Sequence, residues 1–176
     1  MELLTEIYRS AGLNPKGKAI RREAVRGIAL RGEKLLLVYS PIDRGFKFPG
    51  GGIKDGESHV EALNREIEEE CGVALAGISG EFGRIVEYGK AKETDYDIFK
   101  QTSHYYLCTV HSEFRGQKLD EHERELGLRP EWVEISVALA KNELSLTGNF
   151  GEPPSWARRE TFILRLLSEK RRQGHW

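Results

Sequence analysis

Between Gly50 and Val73 the chain reads GGGIKDGESHVEALNREIEEECGV, and no other stretch limits the fold as tightly. Phe48-Pro49-Gly50-Gly51-Gly52 is a glycine turn that lets another group approach the backbone closely. Lys54-Asp55-Gly56-Glu57 reads as a second turn. Ser58 with Glu61 completes an S-x-x-E capping box, which predicts a helix from His59 to Cys71. Gly72 stands where a left-handed C-terminal cap belongs. Val60, Leu63, Ile67 and Cys71 recur at helical spacing and predict an apolar stripe. Glu66, Glu69 and Glu70 fall on one further face, with Arg65 placed to pair with Glu69.

Glutamates so spaced repel by roughly 0.2–0.5 kcal/mol per exposed pair, and one arginine does not cancel that. A hard divalent cation with oxygen ligands would. Spacing alone leaves two readings open, a solvated acidic face and a metal-binding face.

The stretch resembles the Nudix box, G-x5-E-x7-R-E-U-x-E-E-x-G-U, where U is a bulky aliphatic. Gly51, Glu57, Arg65, Glu66, Ile67, Glu69, Glu70, Gly72 and Val73 fill every fixed position. The resemblance implies an α/β (α+β) fold, an α/β/α sandwich around a mixed β-sheet. It implies a Mg²⁺-dependent pyrophosphohydrolase, with Mn²⁺ as substitute, acting on a nucleoside diphosphate linked to another moiety. By the same resemblance Glu66, Glu69 and Glu70 are metal ligands and Gly51 adds its carbonyl. Arg65 would orient Glu69, Glu57 would brace the turn or reach the metal through water, and Gly72 is structural. Two alternatives remain: a nucleotide sensor of the same fold, and an RNA 5′-end pyrophosphohydrolase. Sensors often lose box carboxylates, and all are present here.

Many Nudix enzymes take a further glutamate from a late loop. Glu121, Glu123 and Glu125 lie in such a loop, and Glu123 and Glu125 are the candidate bases, with Glu66 as the fallback. His122 beside them reads as a solvated side chain. Phe46, Tyr88 and Tyr105 are candidates to stack a nucleobase, although aromatic residues in strands usually belong to the core. Arg44 and Lys47 are candidates to meet phosphate. Marks of narrower subclasses are missing; for example, no proline lies between Pro49 and Pro130.

At 176 residues one domain is expected, with residues 1–22 as a leading segment and 23–176 as the hydrolase domain. The leading segment is either an arm that packs on a neighbouring subunit, which leaves a homodimer open, or a strand and loop. A net charge of −1 gives no bulk pull toward polyanions, so a small nucleotide is the expected partner and nucleic acid is not. No signal peptide or membrane span is read, and a cytoplasmic location is expected. Cys71 and Cys108 read as core thiols rather than a disulfide. Strands are predicted at 24–30, 34–39, 46–48, 81–88, 98–110 and 132–135, a short helix at 137–142, and a last helix after Pro153-Pro154-Ser155. That helix is expected to carry Trp156, Phe162, Ile163, Leu166 and Leu167 inward.

Overall fold

Leu35-Leu36-Leu37-Val38 is apolar at every position, so its strand needs cover on both faces. The computed structural model supplies that cover. It describes residues 1–147 and 151–174, so the end of the expected domain lies outside the described residues. Strands β1 (Leu3–Tyr8), β2 (Ala19–Arg31), β3 (Lys34–Ser40) and β4 (Gly45–Lys47) precede helix α1 (His59–Cys71). Then follow β5 (Leu75–Gly89), β6 (Ile98–Val110), α2 (Glu121–Glu125), β7 (Arg129–Glu134), α3 (Ile135–Thr147) and α4 (Ala157–Arg172).

The strands form one seven-stranded sheet in the order β1-β5-β6-β2-β3-β4, with β7 also on β3. Pairing is mixed: β1 with β5 and β2 with β6 are parallel, the others antiparallel. Side-chain alternation divides the strands between two cores. Leu35, Leu37 and Ile28 face Ala138 of α3 and Ile163, Leu164 and Leu167 of α4. Leu36, Val38, Val25 and Ala29 face Leu63, Ile67 and Cys71 of α1. The result is the α/β/α sandwich with a mixed sheet.

In the leading segment β1 pairs with β5 inside the chain's own sheet, and β2 starts at Ala19 and runs through position 23. The capping box of Ser58 and Glu61 is formed, and Gly72 is left-handed with φ 66°. The helix stripe needs one correction. Leu63, Ile67 and Cys71 are buried, but Val60 is 55% exposed. The buried face is turned toward Glu66 and Glu70, and Val60 in the first turn lies outside it. In α4 the buried set is Ala157, Arg159, Glu160, Thr161, Ile163, Leu164 and Leu167, whereas Trp156, Phe162 and Leu166 are only half-buried. Both cysteines are free and buried, and burial pushes both thiols up in pKa.

Leu63 is fully buried between α1 and the sheet. Leu63→Ala is expected to cost about 2–5 kcal/mol, read as urea unfolding. Glu61→Ala should cost less, because it removes one half of a cap. A silent Leu63→Ala would contradict the rotation of α1.

Candidate active site

The glycine turn is stitched to β2. Val25 donates its N–H to the Gly51 carbonyl at 3.0 Å, Gly27 to Pro49 at 2.8 Å, and Ile53 to Glu23 at 3.0 Å. This close approach needs glycine: Gly50 has φ 136°, and a Cβ there would stand 2.1 Å from the Val25 carbonyl oxygen. At Gly51 a Cβ would fall 2.5 Å from the Glu66 carboxylate. The turn thus leaves room beside that carboxylate.

Glu70 is 3% exposed, and its Oε2 accepts the Gly50 N–H at 2.7 Å. Burial pushes its pKa up to about 7, against the pull of Lys47, Arg26 and that N–H. Burial also raises Glu66, which Arg65 partly offsets. Arg65 joins these groups. Its Nε and Nη2 bind Glu57 in a bidentate pair at 2.6 and 2.8 Å. Nη1 reaches Glu66 at 2.6 Å and Glu69 at 3.2 Å, and Nη2 donates to the Gly52 carbonyl at 3.0 Å. Arg65 therefore positions Glu57 and Glu66 more closely than Glu69, the residue expected from spacing. Pairing with Arg65 holds Glu57 down at about 2. Glu57 also accepts the Lys54 N–H at 2.9 Å, which braces the turn.

Glu66, Glu69 and Glu70 line one cleft of about 540 Å³ with Gly50, Gly51 and Gly52. Among the described residues no three metal-binding side chains are gathered at coordinating distance. The donor set still fits a hard cation. Two of its carboxylates, Glu66 and Glu70, are buried and raised in pKa by that burial, and the glycine turn leaves space beside Glu66. The Gly51 carbonyl already accepts one strand hydrogen bond, so it has one lone pair left.

The late loop is fastened to the end of α1. The last carbonyls of a helix lack partners within it. Here Lys118 N–H donates to Glu69 O at 2.8 Å, the Gln117 side chain to Glu70 O at 2.6 Å, and Arg115 N–H to Gly72 O at 2.7 Å. This segment carries the short α2 over the cleft. Glu123 lines the cleft, and its carboxylate accepts the Asp120 N–H at 2.9 Å in a second capping box. His122 also lines the cleft, with 76% of its side chain exposed. Glu125 and Glu121 are exposed on α2 and do not line it.

Other expected residues lie elsewhere. Phe46 is 5% exposed and packs in the α3–α4 core with its ring 5.0 Å from Tyr39, so it presents no face to a base. Tyr88 stacks on Tyr8 at 4.8 Å and donates to Glu6. Tyr105 is fully buried, with its hydroxyl accepting from Arg159 at 3.1 Å. Arg44 gives its carbonyl to Ser145 and lines a separate surface pocket with Ile42. In each case strand packing or turn geometry claims the residue. Lys47 does line the cleft. So do Arg22, Arg26, Lys118 and Trp156, which were not expected. A visible signal existed for Arg26, a cation inside the apolar run Ala24-Val25-Arg26-Gly27-Ile28.

A family model described as NUDIX domain matches residues 20–150. The RNA pyrophosphohydrolase of a Nitratiruptor species is 36% identical over 84 residues, which are 46% of this chain and 54% of that protein. The U8 snoRNA-decapping enzyme of Xenopus laevis is 33% identical over 92 residues, 52% of this chain and 38% of that one. This chain thus spans about half or less of the length of these relatives. Among solved structures, a NUDIX hydrolase from Nitrosomonas europaea aligns with a TM-score of 0.54 at 19% identity, over 85% of this chain and 90% of that one. The expectation that nucleic acid is not a partner is overturned by the RNA-directed relatives. Net charge misled because it sums the whole surface, while recognition depends on local charge. For membranes, no helix among the described residues is long and apolar enough to span one.

Proposed function

The chain belongs to the NUDIX domain family, and from that premise we propose that it hydrolyses a phosphoanhydride, with the 5′ end of RNA as its substrate class. The observation that carries the hydrolase reading is the pair of buried carboxylates, Glu66 and Glu70, set against a glycine turn in an open cleft. The RNA-directed relatives favour the 5′-end reading over the nucleoside diphosphate derivative that the sequence favours.

In this proposal Glu66, Glu69 and Glu70 would hold Mg²⁺ or Mn²⁺. Such an ion, when bound, neutralises phosphate charge and lowers the pKa of a water. Arg65 keeps Glu57, Glu66 and Glu69 in one arrangement. The Gly50 N–H fixes one oxygen of Glu70, whose side chain lines the cleft. Lys47, Arg22 and Arg26 supply positive charge to the phosphates. Glu123 on the fastened loop accepts a proton from the attacking water once substrate brings the loop closer.

The test is a panel of 5′-triphosphorylated RNA, nucleoside triphosphates, ADP-ribose and nucleotide sugars with Mg²⁺, reading products by chromatography. RNA should turn over fastest, and chelation should abolish the reaction. Undiminished hydrolysis under chelation sinks the metal-dependent reading, and preference for a mononucleotide sinks the RNA reading.

Glu123 and Glu125 are now separable. Glu123→Gln should lower kcat and leave metal affinity and Tm nearly unchanged, because glutamine keeps the acceptor for Asp120. Glu125→Gln should be silent. If both variants keep full activity, the base lies in the box, with Glu66 first.

A further inference from the structure

A second cavity opens beside the carboxylate cleft. It measures about 680 Å³ and shares Arg22, Arg26, Lys47 and Trp156 with the cleft. Its far wall is formed by Lys90, Lys92 and Phe99. Two other arginines on it are already engaged. Arg159 pairs with Glu87 and Glu160, and Arg9 pairs with Glu87. By contrast, the side chains of Arg22, Lys47, Lys90 and Lys92 form no ion pair or hydrogen bond among the described residues. Glu93 is the single carboxylate among the described residues of this wall.

Arg26 gives a separate indication. It is 8% exposed and donates from Nη1 to the Phe48 and Gly50 carbonyls, yet its buried Nε has no partner. A buried guanidinium with an unused donor is costly unless an acceptor reaches it. Arg22 is crowded in the same sense, its pKa lowered by burial and by the nearby Arg26, Arg159 and Arg9. Glu66 opposes this crowding, and the Arg22 side chain itself forms no ion pair among the described residues. Two aromatic rings stand among them. Trp156 is fixed by its Nε1–H to Asp43 at 3.1 Å, and Phe99 lies under Arg9 at 5.8 Å. A cationic groove with interleaved rings fits a polyanion that also carries flat bases.

We propose that this trough is a track for single-stranded nucleic acid, holding the nucleotides that follow the 5′ phosphates in the adjoining cleft. Arg22, Lys47, Lys90 and Lys92 take backbone phosphates, and Trp156 and Phe99 stack bases. The placement next to the cleft rests on the proposed function, whereas binding by the trough does not. A mononucleotide occupies the cleft alone and leaves Lys90 and Lys92 unused.

The test uses the full chain and a fluorescent single-stranded RNA octamer with a 5′ hydroxyl, which cannot be hydrolysed at an anhydride. Anisotropy is measured from low to moderate salt for the wild type, the Lys90→Ala/Lys92→Ala double variant and Lys34→Ala. All three lysines are exposed, so folding is not at issue. Each lost phosphate contact should lower the slope of log K against log salt by about 0.7 for a single strand. The double variant should therefore lose about 1.4 in slope, and Lys34→Ala nothing. Phe99→Ala should weaken binding roughly tenfold with the slope unchanged. In turnover, the double variant should raise KM for a 5′-triphosphorylated octamer and leave nucleoside triphosphate hydrolysis unaltered.

An unchanged slope and affinity in the double variant overturns the trough, even if RNA hydrolysis persists. Equal binding of a polyglutamate peptide of matched charge also overturns it, since charge alone would then be read. If the slope falls as stated but no anhydride is cleaved, the trough stands and the proposed function fails.

Discussion

Glu70→Gln is expected to reduce turnover by at least about 100-fold, the scale set when a ligand that stabilises charge at a metal site is lost. Glu66→Gln should do the same. The glutamine at 70 keeps an oxygen for the Gly50 N–H, so the glycine turn stays in place. What it removes is the negative charge of a carboxylate that is only 3% exposed. Stability separates this from damage to the fold. Glu70 has a folded pKa of about 7 against an ordinary 4.5. A carboxyl raised in this way contributes its stability below about 4.5 and loses it as pH rises through about 7. Without divalent ions, the wild type should therefore lose stability across that window, and Glu70→Gln should lose less. A variant with higher Tm at pH 8 and almost no activity is the expected result. A Glu66→Gln/Glu70→Gln double variant with near-native rate would remove the carboxylates from the reaction.

The box was legible because its requirements are local. A cap, a glycine stop and carboxylates at helical spacing all lie within a few turns of one another, and the structure forms each where spacing puts it. The central strand was legible from an unbroken apolar run. What escaped depends on contacts distant in sequence. The strand predicted from Glu81 begins at Leu75, since irregular pairing at Gly77, Gly80 and Gly83 breaks the alternation that marks a strand. The five-residue α2 is too short to show a period, although Asp120 and Glu123 form its capping box. Phe46 and Tyr88 were candidates for ring stacking because a strand aromatic looks the same whichever face it takes; the sheet turns one into the core and the other onto Tyr8. The basic trough was hidden most completely. Its cations come from β2, the end of β4 and the β5–β6 turn, and the whole-chain charge of −1 averages them away.

Arg159 is the residue whose loss should cost most in stability. It is 2% exposed on α4, between two carboxylates that are fully buried. One side of its guanidinium binds Glu87 on β5. The other binds Glu160 at 2.7 Å and 2.9 Å, and its Nε also donates to the Tyr105 hydroxyl of β6 at 3.1 Å. Glu160 in turn accepts the Phe48 N–H at 3.2 Å, just ahead of the glycine turn. Truncation leaves Glu160 with no cation and Glu87 with Arg9 alone. Removing one member of a buried pair costs about 3–5 kcal/mol, because the partner's charge stays buried. Arg159→Met should therefore lower urea stability by that amount, and turnover should fall with it as Phe48 loosens. Arg159→Met combined with Glu160→Gln should be less destabilised than the sum of the two single changes, since the second removes the charge that the first leaves unpaired. Additive losses in that cycle, or an unchanged midpoint for Arg159→Met, would show that water reaches these carboxylates and that α4 is held by its apolar face alone.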